Sequence, residues 1–145
     1  MMSDDVESLL SEARQARAKG DLTGARRGYE RASEWARSAG DGRVLAHALR
    51  HISDIEREDG RPAEALAYGQ EAVGLYRTLP DALPLDLANA LRVTALAWQA
   101  SAEFGEAFPV WREARDLYSQ AGVEAGVKEC EASLAHIAQM GAGRP

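Results

Sequence analysis

His47, His51 and Asp54 stand at i, i+4 and i+7, so on a helix the three side chains share one face, with Glu58 one turn further on. Two imidazoles and a carboxylate at that spacing can ligate zinc or a similar divalent ion. Against that chemistry, the carboxylate lies at the far end of the span, where it strains a tetrahedral site, and Arg50 and Arg57 beside it repel a cation. The same residues can instead form a polar wall, or present histidines to an acidic group of a partner and make binding depend on pH. On balance no metal and no cofactor is expected.

Other chemistry has little to work with. The sequence has no G-x-S-x-G elbow, no glycine-rich phosphate loop and no H-E-x-x-H pair; its glycines punctuate segment ends instead, so an enzyme is not expected. Cys130 is the sole cysteine and cannot close a disulfide within the chain, which fits a reducing cytoplasm; it reads as a small buried residue on the last helix. A formal net charge of −6 argues against a nucleic-acid partner, because phosphate backbones are held by basic stripes. Met1 to Asp5 carry no basic stretch leading into an apolar run, so no secretory signal is expected. Charges interrupt every apolar cluster well before the roughly 20 residues a membrane helix needs. A soluble, cytoplasmic protein is the expectation.

The elements that must position these residues are helices. With 145 residues and 46% hydrophobic content the chain can bury one core, which predicts a single domain over 1–140. Frequent Ala, Leu, Glu and Arg, with few β-branched residues, favour helix over strand. Apolar residues three and four apart, broken by Gly20, Gly40, Gly60, Pro80, the stretch 103–104 and Gly122, predict seven helices. They pair as hairpins over about 4–39, 43–79 and 85–121, with a capping helix over about 124–140 and a flexible tail at 141–145. Trp98 and Trp111 fall on buried stripes, and Trp35 is expected half exposed.

The segments repeat. Gly20-Asp21-Leu22-Thr23-Gly24-Ala25 aligns with Gly60-Arg61-Pro62-Ala63-Glu64-Ala65 and with Ala102-Glu103-Phe104-Gly105-Glu106-Ala107. Four residues after each final alanine stands Tyr29, Gly69 or Trp111, and three beyond that Ala32, Ala72 or Ala114. The intervals are 40 residues (Ala25 to Ala65) and 42 residues (Ala65 to Ala107). Small residues at Ala25, Ala65 and Ala107 let two helix axes approach, and Tyr29 and Trp111 plug the space between them. Gly69 breaks the pattern and is expected to leave the middle hairpin loosely filled, with Tyr68 or Tyr76 compensating.

At these residues the sequence resembles the tetratricopeptide repeat family, in a long variant of about 40 to 42 residues rather than 34. The resemblance spans about Val6 to Ala121. It implies an all-α, right-handed superhelix of three hairpins plus a C-terminal cap, with a concave groove lined by the first helix of each hairpin. It further implies a non-enzymatic adaptor that binds a peptide segment of another protein. Carried over position by position, the groove comprises Glu7, Leu10, Arg14 and Arg17; then His47, Arg50, His51, Asp54 and Arg57; then Asn89, Arg92, Leu96 and Gln99. Five arginines against two acids make this surface positive and an acidic partner segment the natural ligand. One subclass clamps the C-terminal carboxylate of chaperones with Lys, Asn and Arg; here the matching positions hold Leu10, Arg14, His51, Asn89 and Val93, so that ligand is not expected. Two other readings stay open. A short stack exposes apolar ends that two chains could bury as a homodimer scaffold, and His47 with His51 could bind a small regulatory ligand or a metal.

Overall fold

A computed structural model describes residues 3–142. Seven α-helices follow one another among the described residues: α1 (Ser3–Ala18), α2 (Leu22–Ala39), α3 (Gly42–Glu58), α4 (Pro62–Thr78), α5 (Pro84–Ala100), α6 (Phe104–Ala121) and α7 (Glu124–Ala142). Boundaries fall within two residues of those read from the sequence, except that α7 continues through Ala142 into the segment expected as a tail. The rest of that expected tail lies outside the described residues.

The turns explain why the helices stop where they do. Within each hairpin the same pair of bonds closes the first helix: Gly20, Gly60 and Ala102 donate to Arg17, Arg57 and Gln99, while Asp21, Arg61 and Glu103 donate to Ala16, Glu56 and Trp98. This arrangement, a Schellman end, satisfies carbonyls the helix leaves open and requires a left-handed residue at its corner. Glycine supplies it at Gly20 (φ 80°) and Gly60 (φ 79°), but the third copy uses Ala102 at φ 59°, the only non-glycine residue with positive φ among the described residues. Asp21 and Asp41 cap α2 and α3 by accepting from the amides of Gly24 and Val44 at 2.9 and 3.1 Å. Pro62 and Pro84 open α4 and α5, where a missing amide hydrogen costs nothing.

Consecutive helices pack against each other throughout, and α3 also touches α5, so first helices of neighbouring hairpins lie side by side. The result is a right-handed α-α superhelix of three hairpins with α7 as the terminal helix. Its core is continuous in three parts: α1–α3 around Tyr29 and Ile52, the middle around Leu49 and Tyr76, and α5–α7 around Trp111 and Cys130.

The repeat positions fill as the sequence predicts at Ala25, Ala65 and Ala107, each wholly buried. Gly69 is the exception, and the direction is opposite to the expectation. A Cβ there would stand 2.7 Å from Thr94 Oγ1 and 3.2 Å from Ser53 Oγ, so the middle hairpin is the tightly closed one. Ser53 Oγ donates to the Ala65 carbonyl at 2.7 Å in the same buried seam. Losing the ring lets α4 sink onto α3 and α5, and small hydroxyl residues take the contact.

An ion-pair ladder follows the repeat along the second helices. Arg37 of α2 meets Glu71 of α4 at 2.8 Å, and Arg77 of α4 meets Glu113 of α6 at 2.7 Å. The arginines are 40 residues apart and the glutamates 42, so both rungs use equivalent repeat positions.

Candidate binding groove

Helices α1, α3 and α5 carry the residues expected to form the groove, and the cross-helix contacts show which of them meet. Arg17 of α1 reaches α3, where its Nη2 lies 2.9 Å from Asp54 and 2.6 Å from Glu58. Arg57 approaches the other oxygen of Asp54 at 2.5 Å. Arg92 of α5 donates twice to Glu129 of α7, at 2.5 and 2.9 Å, and that contact raises the Arg92 pKa above its ordinary value. Asn89 accepts from the Tyr118 hydroxyl at 2.7 Å, and Gln99 accepts from the Trp111 indole nitrogen. Most of the expected groove polar groups are therefore already engaged with the protein itself.

Two of the groove arginines have no carboxylate partner among the described residues. Arg14 is exposed on α1 and makes no ion pair among the described residues. Arg50, half-buried on α3, faces no carboxylate within salt-bridge distance; its Nη2 donates to His51 Nε2 at 3.0 Å. Because the guanidinium can only donate, His51 accepts through Nε2 and carries its hydrogen on Nδ1.

The histidine face departs from a metal site in every respect. The His51 ring stacks on Tyr29 of α2, with centroids 4.5 Å apart and planes 4° from parallel, while His47 meets His51 edge-on at 4.7 Å. Burial, reinforced by Arg50 and Arg14 and opposed by Asp86, pushes His47 down to about 4. Burial and the charge of Arg50 push His51 down to about 2, so both rings are neutral near pH 7. Asp54, the proposed third ligand, is held between two arginines. Among the described residues no three His, Cys, Asp or Glu side chains are grouped to hold an ion.

Of the remaining positions, Cys130 and Trp111 are buried as expected, while others differ from their expected role. Leu10 belongs to the α1–α3 core, with 9% exposure, and Val93, matched only to the chaperone clamp, is buried at 1%. Leu96 packs half-buried against the C-terminal core, and Glu7 is exposed. Cys130 is buried with its thiol pushed up to about 11 by that burial, which leaves it protonated and unreactive. Trp111 is fully buried, whereas Trp98 is half-buried and lines a hollow with Val73, Leu91 and Val110.

Two contributors were not legible as groove residues. Tyr29 lies on a second helix, where the repeat spacing gives it a packing role. Glu129 lies on the capping helix, whose sequence carries no sign that it faces Arg92. The Arg17–Asp54 and Arg92–Glu129 pairs each span 37 residues, a regularity visible only once the pairs are known.

A model described as tetratricopeptide repeat matches residues 5–78, just over half of the chain. The chain belongs to the tetratricopeptide repeat family. The two hairpins matched are those that carry Tyr29, Arg50 and His51, and the third hairpin of this tetratricopeptide fold repeats the same turn bonds. Among solved structures, the fold is similar to one titled the TPR2B-domain:pHsp70-complex of yeast Sti1, with a TM-score of 0.75 and 18% identity, covering 93% of this chain and 97% of that one. No curated protein matches the sequence. No described helix is long and apolar enough to cross a membrane.

Proposed function

We propose that this tetratricopeptide repeat protein is a non-enzymatic adaptor that binds a peptide segment of another protein along the surface formed by α1, α3 and α5, bounded at its C-terminal end by α7. The observation that carries the reading is the contrast within that surface: Arg17, Arg57 and Arg92 are tied to carboxylates, whereas Arg14 and Arg50 keep uncompensated charge. A cation with no internal counter-charge is available to an acidic group on a ligand, and rim charges of this kind set orientation and association rate. The similar Sti1 domain was solved with pHsp70, which supports a peptide as the kind of partner this architecture admits. Cytoplasmic location fits the single buried thiol.

Selection of a displayed random-peptide library on the full chain tests this. Acidic peptides should be enriched on the wild type and lost on an Arg14→Glu, Arg50→Glu double variant. Enrichment that ignores those substitutions, or peptides whose amide shifts map to α2, α4 and α6, would overturn the groove reading.

A further inference from the structure

Asn89 and Arg92 stand three residues apart on α5, so their side chains leave the same face of the helix. With Tyr118 and Glu129 they line a hollow of about 360 Å³ between α5 and the start of α7, with Leu85 and Val123 as its apolar walls. The two helices come this close because Gly126 lies directly on the Tyr118 ring, where an added Cβ would stand 2.5 Å from a ring carbon. Clefts of this size that join apolar walls to a few fixed polar groups are the usual form of a ligand subsite.

The contacts around the hollow show what its polar groups have left to give. The hydroxyl of buried Tyr118 donates to Asn89 Oδ1 at 2.7 Å, so the amide presents Nδ2 with both hydrogens unspent. Arg92 donates to Glu129 through Nε and Nη2, which leaves Nη1 unspent and the two charges answered by each other. Each Glu129 oxygen takes one of those bonds and keeps room for another. Asn89 Nδ2 and Arg92 Nη1 have no partner among the described residues, and neither is enclosed, so a guest in the hollow can reach both.

We infer that this hollow is a subsite for an uncharged carboxamide side chain, that of Gln or Asn, on the peptide held in the groove. The carboxamide oxygen accepts from Asn89 Nδ2 and Arg92 Nη1, its NH2 group donates to Glu129, and its methylene stem lies against Leu85 and Val123. A carboxylate has no hydrogen for Glu129 and meets its negative charge, an ammonium has no acceptor for the two N–H groups, and a hydroxyl has a single hydrogen and a shorter reach. The surface then reads two chemistries, an acid at Arg14 and Arg50 and a neutral amide at Asn89 and Arg92.

The subsite rests on the groove reading for its peptide, but its chemistry is tested with single blocked amino acids. N-acetyl-glutamine methylamide, titrated into the full chain and followed through backbone amides and the Asn89 side-chain amide, should shift the signals of Asn89, Val123 and Gly126 saturably. The same blocked form of glutamate, and that of alanine, which offers backbone amides alone, should bind about tenfold more weakly. Asn89→Asp keeps the oxygen that accepts from Tyr118 and removes both N–H donors, so it should weaken the glutamine response about tenfold with a thermal midpoint close to that of the wild type. Ala125→Phe, an exposed change on the lining of the hollow, should block it without touching the donors. No saturable shift, or a shift indifferent to both substitutions, overturns the subsite; glutamate equal to glutamine overturns the choice of a neutral group, and alanine equal to glutamine overturns the choice of a side chain. Failure of the peptide selection with an intact glutamine response would instead sink the adaptor reading alone.

Discussion

Arg92 of α5 grips both carboxylate oxygens of Glu129 of α7 through the Nε and Nη2 edge of its guanidinium, although 37 residues separate them. The pair ties the last helix to the first helix of the third hairpin and removes from the groove a charge that its sequence position offers. Glu129→Gln should therefore release Arg92: affinity for an acidic peptide rises, while stability falls by no more than about 1 kcal/mol, as for other half-exposed pairs. Titration calorimetry alongside urea unfolding checks both halves.

Gly69 and Gly74 share α4 but should respond oppositely to alanine. At Gly69 the new methyl meets Thr94 Oγ1 at 2.7 Å and the Thr94 backbone at 3.3 Å, so about 1–3 kcal/mol should be lost through overpacking. Nothing lies within 4 Å of a Cβ at Gly74, so Gly74→Ala should gain about 0.5–1 kcal/mol from helix propensity. Midpoints of chemical denaturation decide the matter, and equal effects would contradict the packing described.

Ala102 takes a left-handed conformation that glycine supplies in the other two hairpins. Ala102→Gly should stabilise the chain by about 1 kcal/mol, whereas the same change at the neighbouring Ala100, inside α5, should destabilise it by a similar amount. Thermal unfolding of the two variants gives opposite signs if the turn is as described.

Glu56 is a carboxylate with 4% exposure at a position where the other copies have Ala16 and Trp98. Arg26 of α2 donates to it at 2.5 Å, and Arg61 stands 3.7 Å away. Glu56→Ala leaves Arg26 to Asp59 alone, 2.9 Å away, and should cost about 1–3 kcal/mol, more than breaking the exposed Arg37–Glu71 rung. A double-mutant cycle on each pair would show the difference.

His47 and His51 predict how stability depends on pH. Their folded-state pKa values, about 4 and about 2, lie below the ordinary 6.5, so the unfolded chain takes up protons that the native state refuses. Stability is fully present above pH 6.5 and falls as acid is added, down to pH 4 for His47 and further for His51, by up to about 1.4 kcal/mol per pH unit for each ring. Replacing His51 with Gln should flatten the slope between about pH 6.5 and 5.5, where carboxylates titrating near 4 stay ionised. An unchanged slope would mean that the stacked ring titrates freely.

The chain's own pattern determined the helices, the repeat and the inner alanines, because each is a local matter. Residues three and four apart share a helix face, Gly20 and Gly60 permit a turn, and Ala25, Ala65 and Ala107 leave room for a crossing whatever lies opposite. Only the tertiary structure decided which groove arginines remain free. Pairing depends on what α3 presents to α1 and α7 to α5, and no periodicity along one helix records the side chains of its neighbour. Gly69 shows the same division: its missing ring is plain in the sequence, yet whether the gap stays open or closes depends on how far α4 can move toward Ser53 and Thr94, and packing density closed it.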